Sequence, residues 1–160
     1  MANPTGTLGA TLYTSATPLV DIAGSADAIG DFSGLTIATE IGLVTNFGEF
    51  GRVFTNVPFQ SIGEGRTYKL KGGYDDGQLQ LTIGQDLSDT GQAALKAYAE
   101  ASDQNTYPFK LTLVGADASY DTIYFGAKVM SFRTTLGGLN EVIRAMVTLE
   151  INTTIFTGAS

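Results

Sequence analysis

Between residues 141 and 156 the segment EVIRAMVTLEINTTIF alternates in character at almost every step. Ile143, Ala145, Val147, Leu149, Ile151, Thr153 and Ile155 occupy the odd positions, and the even ones include Arg144, Thr148, Glu150, Asn152 and Thr154. Side chains on a strand point to opposite faces in turn, so a period of two predicts one covered face and one that meets water or a polar partner. At ~3.3 Å per residue, positions 143–155 reach about 43 Å, more than twice the ~17–20 Å of an ordinary strand. Such a two-faced strand suits a sheet that continues beyond one subunit.

The rest of the chain predicts what this strand pairs with. Its 160 residues suit a single domain spanning 1–160, long enough to bury roughly 70% of the surface exposed by the unfolded form. Twenty glycines punctuate short apolar runs, as turns do in an all-β chain. Residues 11–15 and 35–44 are strand candidates around the small-residue stretch 21–34. Residues 45–65, TNFGEFGRVFTNVPFQSIGEG, mix glycine with Phe47, Phe50, Phe54, Val57, Phe59 and Ile62. That is too apolar for a solvated loop, and its spacing fits neither a strand nor a helix, so the segment is expected to dock on something. Strands are expected at 66–71 and 78–85, joined into a hairpin by GGYDDG with Asp75, Asp76 and Gly77 at the turn, because Gly accepts positive φ and Asp tolerates it. Asp89 with Gln92 three residues on predicts a capping box, and Ala94, Leu95, Tyr98 and Ala101 form a helical stripe. Residues 107–114 alternate again, 122–134 are apolar or small on both faces, and Gly137-Gly138 marks a turn into the long final strand. The fold class expected is mainly β: an antiparallel sandwich or barrel with one short α-helix on it.

Reactive chemistry finds little to work with. The chain has no cysteine and no histidine, which removes Ser-His-Asp and Cys-His triads, thiolate catalysis and histidine metal ligation. Asp75 and Asp76 are adjacent carboxylates, but the flanking glycines explain them as turn residues, and no EF-hand spacing surrounds them. The glycines of NFGEFG and GEGR match neither GxxxxGK[ST] nor GxGxxG. No enzyme activity, cofactor or metal is therefore expected. The formal charge of −7 argues against a surface that grips nucleic acid, and residues 1–51 carry five acidic and no basic side chains. Arg66, Lys69 and Lys71 make the densest basic patch and read as a solvated strand face. The start, MANPTGTLGATLYTS, has neither the basic nor the apolar region of a secretory signal, and no 18-residue apolar stretch occurs. Synthesis in the cytoplasm without membrane insertion is the expectation.

The order of features resembles the tail tube proteins (major tail proteins) of long-tailed bacteriophages. It is carried by TNFGEFGRVFTNVPF, by YKLKGGYDDGQL, by DLSDTGQAALKAYAEA leading to a strand that opens Tyr107-Pro108-Phe109, and by FGAKVMSF followed by the long last strand. The resemblance covers most of the chain from about residue 40. It implies a β-sandwich or barrel subunit whose inner strands join those of its neighbours into a continuous barrel, closing hexameric rings that stack into a tube within the virion tail. The segment 45–65 would be the inter-ring stacking loop, with Phe47, Phe50, Arg52, Phe54 and Phe59 as its contact residues. The partners implied are other copies of the chain together with tape-measure, tail-tip and tail-terminator proteins. DNA would pass through the bore without specific binding. An acidic wall would repel phosphates and keep the duplex mobile, with Glu40 and Glu150 as candidate lumen-facing acids.

Three other readings compete. The tube subunit of a bacterial contractile injection or secretion apparatus shares the implied architecture. A monomeric carbohydrate-binding β-sandwich would also be acidic and glycine-rich, but its sites usually use exposed aromatics, often Trp, of which the chain has none. A glycosidase would need a framed pair of separated carboxylates, and no motif supplies one.

Overall fold

A computed structural model describes residues 6–19, 32, 35–114 and 120–159. The strands are β1 (Thr11–Thr14), β2 (Thr39–Ile41), β3 (Val44–Asn46), β4 (Val53–Gln60), β5 (Thr67–Asp75), β6 (Gln78–Gly84), β7 (Tyr107–Val114), β8 (Tyr120–Thr135), β9 (Arg144–Ile151) and β10 (Phe156–Ala159), with helix α1 at Thr90–Glu100. Eight strands form an antiparallel sheet in the order β2-β1-β7-β8-β9-β6-β3, with β10 added on β8. The two end strands, β2 and β3, are consecutive pieces of one segment, separated only by Gly42 and Leu43. One bent segment thus supplies both end strands of the sheet and curls it round into a barrel. Leu43 makes the corner at φ 57, a left-handed conformation that side chains adopt at a cost.

The barrel interior holds the residues that alternation selects. Leu79, Leu81 and Ile83 of β6 meet Ala145, Val147 and Leu149 of β9, and Leu12, Phe109, Phe125 and Ala127 complete the core. The stacked rings of Phe109 and Phe125 lie 5.5 Å apart.

Helix α1 seals the place where the bent segment closes the barrel. Asp89 is its N-cap, accepting from the Gln92 N–H through Oδ1 at 2.9 Å and from the Gly42 N–H through Oδ2 at 3.1 Å. Gln92 does not complete a capping box. Its buried amide donates to the carbonyls of Gly42 and Gly84, at 3.0 and 2.9 Å, and accepts from the Asp86 N–H at 2.9 Å. The carboxamide has three backbone groups to satisfy at the closure, and those outweigh one exposed helix-end donor. Gly91 is required there because any Cβ would overlap the Glu40 carbonyl oxygen.

Two further expectations change. The strand expected over residues 143–155 breaks after Ile151 and resumes at Phe156, shifted in register by two residues. Ala127 pairs with Tyr107 on one side and Ile151 on the other, so β9 and β10 both follow the edge of β8 opposite β7. At the break the Thr153 hydroxyl accepts the Gly126 N–H at 2.8 Å, replacing a ladder partner. The second change concerns the hairpin expected between 66–71 and 78–85. Strand β5 pairs with β4, and β6 pairs with β9 and β3. Asp75, Asp76 and Gly77 therefore form a junction between two different sheets. Its local chemistry is that of a turn, with Gly77 at φ 95 and its N–H donating to Asp75 Oδ1 at 2.9 Å.

Candidate functional site

Strands β4 and β5 form a two-stranded sheet separate from the barrel. No residue of either is buried. Its register puts Phe54 beside Tyr74, Val57 beside Leu70 and Phe59 beside Tyr68. The ladder slips by one residue between Phe54 and Asn56, so Val57, Phe59, Tyr68 and Leu70 line one face of the arm, while Phe54 and Tyr74 lie on the other. Asn56, Pro58, Gln60, Thr67, Lys69 and Lys71 share that second face, where the Lys71 ammonium lies 4.7 Å from the Phe54 ring centre. The sequence produces this by alternating Tyr68 and Leu70 with Lys69 and Lys71. Phe59 and Leu70 remain 60% and 59% exposed, and Ile62 at the tip is fully exposed. An isolated two-stranded hairpin is at best marginally stable in water, and this arm leaves its apolar face uncovered by the rest of the subunit.

The tip and root are held by polar contacts. At the tip the Gln60 amide donates to the Gly65 carbonyl at 3.1 Å, and the Tyr68 hydroxyl donates to Glu64, which pushes the phenol above its usual pKa. At the root Arg52 Nε donates to Asp76 Oδ1 at 2.8 Å, the guanidinium lies 4.0 Å from the Tyr74 ring centre, and Nη2 reaches Thr154 Oγ1 at 3.4 Å. Hydrogen bonding to Asp76 raises the guanidinium above its ordinary pKa. This root contact links the arm to the segment between β9 and β10.

A second surface lies on the barrel. Leu19 and Phe32 cover the outer face of the first half of β8, Leu19 close over Gly126 and Phe32 against the rings of Tyr124 and Phe156. The second half of β8, with β9 and β6, keeps its outer face open. Cross-strand rows there read Gln78–Glu150–Lys128, Gln80–Thr148–Ser131, Thr82–Met146–Arg133 and Gly84–Arg144–Thr135.

The residues expected to act together separate in the structure. Phe59 lies on the apolar arm face, Phe54 on the opposite face beside Tyr74 and Lys71, and Arg52 at the arm root. Phe47 and Phe50 instead pack against the barrel core, Phe50 with its ring 5.9 Å from that of Phe125. Apolar residues among glycines look alike in sequence whether they wrap their own barrel or reach away from it. Glu150 lies on the open face and accepts from Gln78 Nε2 at 2.6 Å. Glu40 is exposed on β2, opposite Tyr13, outside the cross-strand rows of that face. Val57, Tyr68 and Leu70 were not among the expected contact residues, although the alternation in TYKLK marks two of them; pairing that segment with β6 hid their role. Among the described residues no group of three or more acidic side chains could hold a metal ion, and no helix is long and apolar enough to cross a membrane.

The described residues form a mainly β fold with one short helix between β6 and β7, and solved structures from a tail tube and from contractile injection systems share that fold. A chain in the six-fold symmetrised baseplate of the anti-feeding prophage superposes with a TM-score of 0.73 at 12% identity, over 99% of this chain and 97% of that one. A chain of the sheath/tube terminator of the extracellular contractile injection system PVC gives 0.68 at 12% identity, over 99% of both. The SPP1 tail tube gives 0.59 at 13% identity, over 98% of this chain and 80% of that one. No protein-family model matches the sequence, and no curated protein matches it.

Proposed function

We propose that the chain is the structural subunit of a phage tail tube, polymerising as stacked hexameric rings into a hollow conduit for DNA delivery. The observation that carries this reading is the β4–β5 arm, whose whole apolar face lies outside the subunit's own core on a fold shared with tube proteins. The arm buries that face on a copy in the neighbouring ring, and the open face of β8, β9 and β6 turns to the bore. Subunit role and partners are structural: other copies along the tube, and the tape-measure, tip and terminator proteins at its ends. A second reading, the tube of a contractile injection apparatus, draws on the higher TM-scores of the two contractile-system chains; co-purification with a sheath protein distinguishes it.

Negative-stain microscopy of purified protein over a concentration series tests the proposal. Hollow tubes or stacked rings, formed alone or on tail-tip components, are the expected result. A compact monomer at high concentration, even with those components supplied, overturns it.

A further inference from the structure

The net charge of the chain suggests an acidic bore, and the open face argues for the opposite. Its four cross-strand rows contain one carboxylate, Glu150, and three cations, Lys128, Arg133 and Arg144. The row at the arm end is neutralised internally, since Glu150 accepts from Gln78 and stands opposite Lys128, whose ammonium donates to the Gln104 carbonyl at 2.8 Å. The other end is not. Arg133 is paired with Met146, and Arg144 is two residues away on β9, which makes the two arginines diagonal neighbours about 7–8 Å apart. Both are exposed, and neither has a hydrogen bond or ion pair among the described residues, where Arg52–Asp76 is the only salt bridge. The acid nearest them in sequence, Glu141, is turned to the Gly138 N–H at 2.9 Å. In a chain of formal charge −7, two adjacent arginines with no partner among the described residues, on an otherwise uncharged strip of Thr, Ser, Gln and Met, are free to take an anion from outside.

We propose that this open face takes the phosphate backbone of double-stranded DNA, with Arg133 and Arg144 as the contacting groups. The proposal rests on the conduit reading, which turns the face to the bore. Guanidinium groups suit phosphate oxygens without reading bases, and two per subunit, repeated around a ring, form a band of weak screened contacts rather than an adhesive site. Glu150, as a lumen-facing acid, is then one charge against three. The arginines give the passing duplex transient contacts at the wall while the acidic remainder of the protein limits retention.

The test separates this idea from the conduit reading. Binding of a fluorescein-labelled duplex of about 20 base pairs to unassembled protein is followed by anisotropy at increasing NaCl from about 20 mM, and polymerisation of the same samples is scored by microscopy. Wild type is expected to bind at low salt. Arg133→Gln with Arg144→Gln should reduce the slope of log K against log salt by about 2, since each phosphate no longer neutralised lowers it by about 0.9. Ser131→Glu, which adds an acid to the same face and keeps both arginines, should weaken binding in the same direction. Arg66→Gln with Lys69→Gln and Lys71→Gln on the arm should leave the slope unchanged. Absence of binding at low salt, loss of binding only in the arm variant, or an arginine variant that binds DNA normally but no longer polymerises would each overturn the assignment. Failure of wild type to form tubes while the slope behaves as expected would refute the conduit reading and leave the anion-binding face standing.

Discussion

Replacing Phe59 and Leu70 with Ser together should raise the concentration needed for polymerisation without unfolding the subunit. The two lie on the apolar arm face, diagonal across β4 and β5, and retain 60% and 59% of their surface in the free chain. Complete burial of such a side chain contributes about 1.5–3 kcal/mol, so covering the exposed six-tenths is worth roughly 1–2 kcal/mol for each, or about 2–4 kcal/mol for the pair. With 1.4 kcal/mol per factor of ten, the critical concentration should rise between about 30-fold and 1000-fold. The fold should not notice, because no residue of either arm strand is buried against the barrel. Sedimentation of polymer over a concentration series gives the critical concentration, and far-ultraviolet circular dichroism with urea unfolding of the unassembled variant gives its stability. Polymerisation at the wild-type concentration would mean that the arm face stays uncovered in the assembly. A variant with the unfolding midpoint lowered as by a core change would mean that the arm packs on its own barrel.

Other perturbations address the barrel and the arm root. Gln92→Leu removes three hydrogen bonds that satisfy backbone groups of Gly42, Gly84 and Asp86; at about 1–3 kcal/mol for each buried group left unpaired, partly relieved by water, a loss of roughly 2–5 kcal/mol is expected in urea unfolding, and a loss below ~1 kcal/mol would refute the closure role. Leu149→Asp puts a carboxylate where the side chain is fully buried, and soluble folded protein from that variant would contradict the placement of β9 in the core. Arg52→Ala frees Asp76, Tyr74 and Thr154 at the arm root; trypsin should cut at Lys69 and Lys71 faster than in wild type, with the unfolding midpoint nearly unchanged, since an exposed pair of this kind is worth about 0–1 kcal/mol. The Asp86 carboxyl sits below its usual pKa because the Ser88 hydroxyl and N–H both donate to it. Its stabilisation is present above the unfolded-state pKa and disappears as pH falls through the lower folded-state value, so Ser88→Ala should flatten the acid limb of stability against pH and leave neutral pH less stable. An acid limb identical to wild type would remove Asp86 from that account.

Period-two alternation is sufficient to find most of the barrel from sequence. Residues 107–114, 122–134 and the final strand are legible because one face of each is buried, and a one-residue slip would turn that face to water. The turn at 136–140 and the N-cap at Asp89 are legible for a similarly local reason, since turn and cap chemistry resides in two or three adjacent side chains. The class of function expected from the sequence comes from the resemblance, not from any site. Pairing between strands is not local, and there the sequence misleads. GGYDDG has the chemistry of a hairpin turn, yet β6 buries Leu79, Leu81 and Ile83 by pairing with β9, and β5 is left to pair with β4. Only the tertiary structure could assign Phe47 and Phe50 to the barrel and Phe54 and Phe59 to the arm, because hydrophobicity says that a side chain leaves water and not which surface it leaves water for. The same limit applies to charge. A total of −7 belongs to the chain as a whole, whereas the potential over one face depends on which side chains the register sets beside each other, and Arg133 and Arg144 become neighbours only when β8 and β9 pair.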